Sequence, residues 1–436
     1  MDGPDTAEAK IGSVTRAVSR LPRRHVVVAL TFAACVVAYT DRVNISVAAV
    51  AMKDSLGWSQ TQKGYVLASF FIGYMLFMFV GGLLSTRFGG RLVLGLSVLA
   101  WSVFTLLTPP AAEWSMPALI AARIGMGIGE AAMFPGAYEM FGRWVPANER
   151  ARAAARLLSG IPIGTIAGLF GGAWLVERFG WPAAFYAFGV VGLVWAVAWF
   201  RAISNDPSTD PRVTAEERAL LPAFSKSGAW GIGDFRRQLL RAPALAVVAA
   251  HFALTWCLYV LLSWLPSYFH DVQGLSIANA GLYSAMSWGA MFLSANIAAV
   301  AADRVIERGA QVTRTRKVMQ CGSLIGTAAT LLVMQHAHTP LVAVSLLCFG
   351  TAILGVSWAS FGPAMLDVAP RSSAVLYGFS NTIATIPGIV GVAVTGWLLD
   401  LTGTYTAAFV LTAGVSLLGA LAFGTWFDAR PVDRPD

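Results

Sequence analysis

Twelve apolar runs of about 20 residues recur along the chain, near 26–51, 62–86, 90–109, 115–138, 154–177, 182–201, 243–268, 277–302, 318–336, 340–362, 375–399 and 406–427. A helix of that length crosses a hydrocarbon core, and inside one only a helix or a closed barrel satisfies its own backbone polar groups. The expected fold class is therefore an all-α membrane protein with twelve transmembrane helices. Charge content agrees, since 12% of residues are charged, about half the share in a soluble domain.

Lysine and arginine in the connections set the orientation. If both ends share a side, the terminal segments and even-numbered connections hold 26 of the 31, whereas the opposite side holds Lys53, Lys63 and Arg178. Both termini are expected in the cytoplasm, and the net charge of +8 is read as this bias rather than as a nucleic-acid footprint. The opening M-D-G-P-D-T-A-E-A-K, then Arg16, Arg20, Arg23 and Arg24, leads into a span too long for a signal peptide, so no cleaved signal is expected. Cys35, Cys257, Cys321 and Cys348 all fall inside spans without ligand spacing, which implies neither disulfides nor a metal. His336 and His338 offer two ligands at most.

A stretch rich in Pro, Gly and charges of both signs divides the spans six and six, as a linker between bundles would. The expected organisation is an N-terminal segment 1–25, a bundle 26–201, a linker 202–242, a second bundle 243–427 and a tail 428–436. The corresponding ends of spans 2 and 8 read G-L-L-S-T-R-F-G-G-R from Gly82 and A-V-A-A-D-R from Ala299, the pattern of a parallel-repeat transporter.

The run G-x-x-x-T-R-x-G-G-R ending at Arg91 resembles the signature between helices 2 and 3 of the major facilitator superfamily. Within it the chain resembles the anion:cation symporter family, which includes bacterial sugar-acid and phthalate permeases and the vesicular glutamate and sialic acid carriers. The resemblance is carried by Y-T-D-R-V-N from Tyr39, R-I-G-M-G-I-G-E-A-A-M-F-P from Arg123, W-V-P-A-N-E-R-A-R from Trp144, and G-W-P-A-A-F-Y from Gly180. It continues through the stretch from Asp206 to Arg218, S-W-L-P-S-Y from Ser263, D-V-A-P-R from Asp367 and G-F-S-N-T-I-A-T-I-P-G from Gly378.

The residues point the same way on their own. A charge at bilayer depth costs from about 2.5 to more than 10 kcal/mol, so it persists only beside a wet cavity or a partner. Asp41, Arg42, Arg123 and Glu130 are such charges, all in the first half. With a rise of about 1.5 Å per residue, Arg42 and Arg123 fall at one level; Tyr39 shares the face of Arg42, and Asp41 turns toward a neighbouring helix. Glu130 returns to the face of Arg123 about 10 Å deeper, on the inward path. Two arginines and two carboxylates sum to zero, so a bound anion leaves a surplus negative charge that a proton on Asp41 or Glu130 cancels. That is the coupling symport needs. The competing reading is a salt-bridge network that only holds helices 1 and 4 together. Gly125, Gly127 and Glu130 share one glycine-rich segment with Gly129, and the glycines there are read as helix packing rather than a nucleotide loop, for want of any soluble mononucleotide unit.

The resemblance implies that Arg42 and Arg123 hold the substrate, that Asp41 and Glu130 carry the coupling proton, and that Tyr39, Tyr74 and Asn381 line the cavity. In the second half Trp256, Tyr259, Trp264, Ser357, Trp358, Thr382 and Thr385 are available polar and aromatic groups, and Ser357 and Trp358 are added as substrate contacts. Leu254 stands where vesicular glutamate carriers have an arginine, which argues against a glutamate-type site. His251 is expected as a hydrogen-bonded packing residue. Arg87, Arg91, Asp303 and Arg304 are expected gate residues, with Thr86 in the place of the usual Asp and the lock of the first half weakened accordingly.

The expected function is import of a small organic anion, a carboxylate such as a sugar acid or other hydroxy or aromatic acid, by proton symport. The proton is the coupling ion, no cofactor or metal is needed, and the partners are the anion, protons and membrane lipids, with no nucleic acid. A monomer in a bacterial inner membrane is expected. The rival within the fold is an exporter or proton antiporter. An intramembrane enzyme is disfavoured because neither HExxH nor GxSxG occurs, and a sensor because no soluble signalling domain is present.

Overall fold

Residues 22–221, 240–370 and 372–431 are described by a computed structural model. The expectations for residues 1–21 and 432–436, for Arg371 and for the middle of the linker lie outside them.

The first half forms α1 (Arg23–Leu56), α2 (Gln60–Phe88), α3 (Gly90–Trp114), α4 (Met116–Glu130), α5 (Met133–Trp144), α6 (Arg150–Phe179) and α7 (Trp181–Ala202). A short helix α8 (Ala215–Leu220) sits in the connection. The second half forms α9 (Ala242–Asp271), α10 (Ile277–Glu307), α11 (Val312–Val333), α12 (Pro340–Val368), α13 (Ser373–Thr402) and α14 (Thr406–Trp426). With α4 and α5 counted together, 12 helices among the described residues are long and apolar enough to cross a membrane. They are the expected spans, several extended beyond the apolar core.

The fourth span is not the single helix its apolar run suggests. α4 ends at Glu130 and α5 begins at Met133. Pro135 is the local cause: its ring has no N–H for the Ala131 carbonyl four residues back and would clash with it in a continuous helix. The break sits next to Glu130.

Glycines let the helices approach. Gly160, Gly164 and Gly168 recur on one face of α6, where an added Cβ would meet Phe32 O, Cys35, Val36 O and Thr40 of α1. Thr40 Oγ1 donates to Gly164 O across this contact (3.1 Å). On α4, Gly125 and Gly129 face Phe104 and Trp101 of α3, while Gly127 lies against the Phe70 carbonyl of α2. Gly89 and Gly180, both at φ 85°, each join consecutive spans through one left-handed residue.

The bundles meet at the face opposite the chain ends through two matched corners. At the first, Ser59 and Gln62 form a capping box at the start of α2. The remaining amides there, Gln60 N and Thr61 N, donate to Asp400 at the far end of α13 (2.9 and 2.7 Å). At the second, Ser276 Oγ caps Asn279 N at the start of α10, and Ala278 N donates to Glu177 at the far end of α6. A carboxylate opposite unpaired helix amides satisfies them and the positive end of the helix together. Asp271 joins the first corner, accepting from Tyr405 Oη (3.1 Å) and Gln60 Nε2 (3.4 Å). Toward the middle, Asn381 Nδ2 donates to Met78 Sδ (3.1 Å) and the Phe71 and Tyr259 rings lie 4.5 Å apart. These contacts hold the face opposite the chain ends closed in this conformation.

The connection is anchored to the first bundle. Glu217 of α8 accepts from Arg23 N and Arg24 N (3.0 and 2.9 Å), capping α1. Asp210 is chelated by Arg212, whose guanidinium hydrogen bonds hold the Asp210 carboxyl well below the usual carboxylate range.

Candidate functional site

Buried charge meets at the centre of the first bundle, on the side facing the second. The Arg42 guanidinium carbon lies 4.7 Å from the Tyr39 ring centre, 4.9 Å from Phe70 and 4.8 Å from Tyr74. Helical spacing makes this cage: Tyr39 precedes Arg42 by three residues on α1, and Phe70 and Tyr74 are four apart on α2, their rings stacked at 5.8 Å. Aromatic faces stabilise a cation that has little water. The guanidinium also donates to Glu130 Oε1 in an ion pair.

Arg123 is 1% exposed. It shares Phe70 with Arg42 at 5.6 Å, and its Nη1 donates only to the soft sulfur of Met126 (2.9 Å). The glycines of α4 put it there by seating that helix on α2 and α3. Asp41 turns away to α3, where its Oδ2 accepts from Trp101 Nε1 (3.0 Å).

Four buried atoms of this group have no hydrogen-bond partner: Nε of Arg42, Nε of Arg123, Oδ1 of Asp41 and Oε2 of Glu130. Buried polar atoms are rarely left so. Two unpaired donors and two unpaired acceptors are what an anion and a proton would respectively engage. Both arginines line one cavity with Ser46, Phe70 and Phe71, closed from the other bundle by Leu262 and Ser263 of α9. In this conformation it has room for about a water molecule.

The expected residues divide clearly. Tyr39, Arg42, Tyr74, Arg123 and Glu130 come together, and Asp41 lies beside them on Trp101. Glu130 is not a separate, deeper station, because the long Arg42 side chain spans the distance and pairs with it directly. Asn381 reaches across to α2 at Met78, and the residues lining the cavity include none of Tyr39, Tyr74 and Asn381, although the two tyrosines reach the Arg42 guanidinium. Ser357 is turned the other way: its Oγ accepts from Gln320 Nε2 of α11, and its backbone N donates to Ser323 Oγ (3.2 Å). Trp358, one residue on, is 41% exposed and outside the lining. Both were placed by polarity, but successive residues point about 100° apart on a helix, and the nearly uniform apolar sequence of α12 does not reveal which way its faces turn.

The gate residues are otherwise engaged. Arg91 donates to the carbonyls of Ile203 and Phe200 at the end of α7, the latter at 2.8 Å, and so fastens α3 to α7. Arg87 lies over Phe88 at 5.3 Å, and Thr86 Oγ1 donates to Leu83 O of its own helix (2.9 Å). Asp303 and Arg304 are exposed, and among the described residues neither forms an ion pair. His251 is packed on Phe361 at 4.0 Å, with Nδ1 and Ser380 Oγ 2.8 Å apart.

Sequence reasoning missed Ser46, Phe70, Phe71 and Ser263. Ser46 and Phe70 had a usable signal, at four residues beyond Arg42 and four before Tyr74. Phe71 and Ser263 had none, since an aromatic or hydroxyl residue costs little in a span.

Comparison with known proteins matches residues 30–392 to the Major Facilitator Superfamily. The chain is similar to the sodium-dependent phosphate transport protein 1, chloroplastic, of Arabidopsis thaliana, 36% identical over 92% of this chain and 78% of that protein. It is similar to the ascorbate transporter, chloroplastic, of the same plant, 34% identical over 93% of this chain and 75% of that protein. In fold it is similar to a bacterial homologue of the human lysosomal transporter Spinster in its inward-facing, unoccupied conformation, with a TM-score of 0.73 at 16% identity, over 93% of this chain and 95% of that one. The D-xylose-proton symporter gives 0.72 at 15% identity, over 92% and 97%.

Proposed function

This chain belongs to the major facilitator superfamily, a transporter and not an enzyme, and from that premise we propose that it imports a small organic anion by proton symport. The observation that carries the reading is the buried Arg42–Glu130 pair, whose arginine lines a cavity shared by both bundles together with Arg123. A carboxylate entering the cavity finds Arg123 held by the Met126 sulfur and the Phe70 ring, and Arg42 held by Glu130. Protonating Glu130 removes its claim on Arg42 and frees a planar fork for the anion. Anion and proton then favour each other's binding, and neither leaves the other's charge uncompensated in a dry site. Asp41, one residue from Arg42, is the second proton-carrying group of the proposal. Hydroxyls of the substrate would find Tyr39, Tyr74, Ser46 and Ser263 as neutral partners.

The relatives named for anions support the anion class, and the one named for ascorbate supports a hydroxylated organic acid. A second reading, sodium-driven uptake of phosphate, rests on the name of the 36%-identical relative. The asymmetry of 26 among 31 lysines and arginines supports cytoplasmic termini, and the resemblance to bacterial permeases a bacterial inner membrane; a monomer is proposed. Uptake into proteoliposomes decides among these readings. Ascorbate, gluconate and phosphate are supplied with a proton gradient, a sodium gradient or neither. Proton-driven accumulation of a carboxylate, with its amide analogue refused, is the expected result. Equal transport of the neutral analogue would remove the anion assignment, and accumulation of phosphate with sodium alone would favour the second reading.

A further inference from the structure

Lys63 stands apart from every other basic residue on the face opposite the termini. Lys53 lies 3.7 Å from Asp54 at the surface and Arg178 is exposed, whereas Lys63 is 0% exposed. Its Nζ has no hydrogen-bond partner. Its contact is the Trp264 ring, 5.4 Å away, and that indole is fixed by its own bond from Nε1 to Val392 O (3.1 Å). Asp271, at the same corner, is already engaged by Tyr405 and Gln60. A buried ammonium without a partner costs several kcal/mol, and no packing role here requires a charge.

Its position accounts for it. Lys63, Leu67, Phe70 and Tyr74 follow one another at helical spacing on one face of α2, and Leu67 and Phe70 line the cavity of the arginines. Lys63 is therefore about 10 Å from Phe70 toward the closed face. Trp264 adjoins Ser263, which lines the same cavity. Beside Lys63, Gly64 brings α2 against the backbone of α13, where a Cβ would lie 3.2 Å from Ala393 O. Separation of α2 from α13, which any opening of that face requires, uncovers Lys63 before it uncovers the arginines.

We propose that Lys63 is the first docking point of the anionic substrate on its way from the face opposite the termini to Arg42 and Arg123. This rests on the anion reading above. The ammonium, a compact point charge, holds a carboxylate loosely on the Trp264 platform and passes it inward along the α2 face. In the closed conformation Lys63 is shut away, so it acts on substrate arriving from that face and not on substrate bound from the terminal side.

The test uses the full chain in oriented proteoliposomes, with ascorbate and gluconate as probes, comparing Lys63→Met and Lys63→Arg. Lys63→Met is expected to raise KM roughly tenfold for uptake from the face opposite the termini, with kcat little changed and KM from the terminal side unaltered. Lys63→Arg should stay near the parent. The thermal midpoint of Lys63→Met should not fall, since no partner is lost. An unchanged uptake KM in Lys63→Met overturns the proposal. So does an equal rise from both faces, or a lower midpoint with Lys63→Arg equally impaired, either of which marks a structural lysine. The parent protein separates this from the broader reading: if it carries the neutral amide as well as the carboxylate, the anion assignment itself fails and Lys63 with it, whereas selective carboxylate uptake with insensitive Lys63 variants removes only the docking role.

Discussion

The two bundles share an architecture but not a chemistry. The first holds every ionised group of the central site, caged between α1, α2 and α4, while the second faces it with Leu262, Ser263 and the Tyr259 ring. The closed face is the reverse: each bundle contributes one helix start and one capping carboxylate, so the corners match. One side of the molecule is thus built by repetition and the other by divergence. On the proposed function, binding and proton coupling belong where the halves differ, whereas closure is made where they agree.

The sharpest way to break this contrast is to remove charge geometry from the first bundle alone. Arg42→Lys and Arg123→Lys each keep a cation but lose the planar fork, and transport should fall by about a hundredfold. Glu130→Gln and Asp41→Asn should abolish proton-driven accumulation while preserving exchange of substrate across the membrane. Retained transport in the lysine variants, or undiminished accumulation in the carboxamide ones, would put the chemistry elsewhere.

The next effect concerns the matched corners. Asp400→Asn and Glu177→Gln each weaken a charge-assisted cap, a loss of about 1 kcal/mol. Each should raise labelling of a cysteine at position 46, reached from the face opposite the termini, by a comparable few-fold in a background without native cysteines. A response from only one of the two would mean that the corners are not equivalent.

Smaller effects are expected in the second bundle. Asn381→Ala removes the bond to Met78 and should raise substrate KM by several-fold at most, about 1 kcal/mol or a little more, if the side chain also meets substrate during the cycle. Ser357→Ala should leave KM unchanged while lowering stability by about 1–3 kcal/mol, because Gln320 loses its partner in a buried site. A shift in KM would return Ser357 to the substrate path.

The spans and the four central charges were legible because each carries a large energetic penalty if misplaced: an apolar run must be buried in lipid, and a charge within it must have a reason. What was not legible carries little penalty. The break after Glu130 depends on one proline acting four residues upstream. The ion pair of Arg42 with Glu130 depends on where a long side chain bends, which spacing along two separate helices does not fix. Ser357 and Trp358 were misdirected because α12 is apolar around its whole circumference. Lys63 reads in the sequence merely as one of three basic residues on its side, since its burial follows from the packing of α2 against α13 and Trp264 of α9.

Glu217 bears on how such a chain can be divided. By capping α1, it makes the first part of the connection a structural member of the first bundle. A gene split after Leu221 therefore leaves the leading fragment with its opening helix capped, whereas a split before Thr214 strips that helix bare. Two separately expressed fragments divided after Leu221 should recombine into a working carrier, held by the corners on the far face rather than by continuous chain, and division only a few residues earlier should fail.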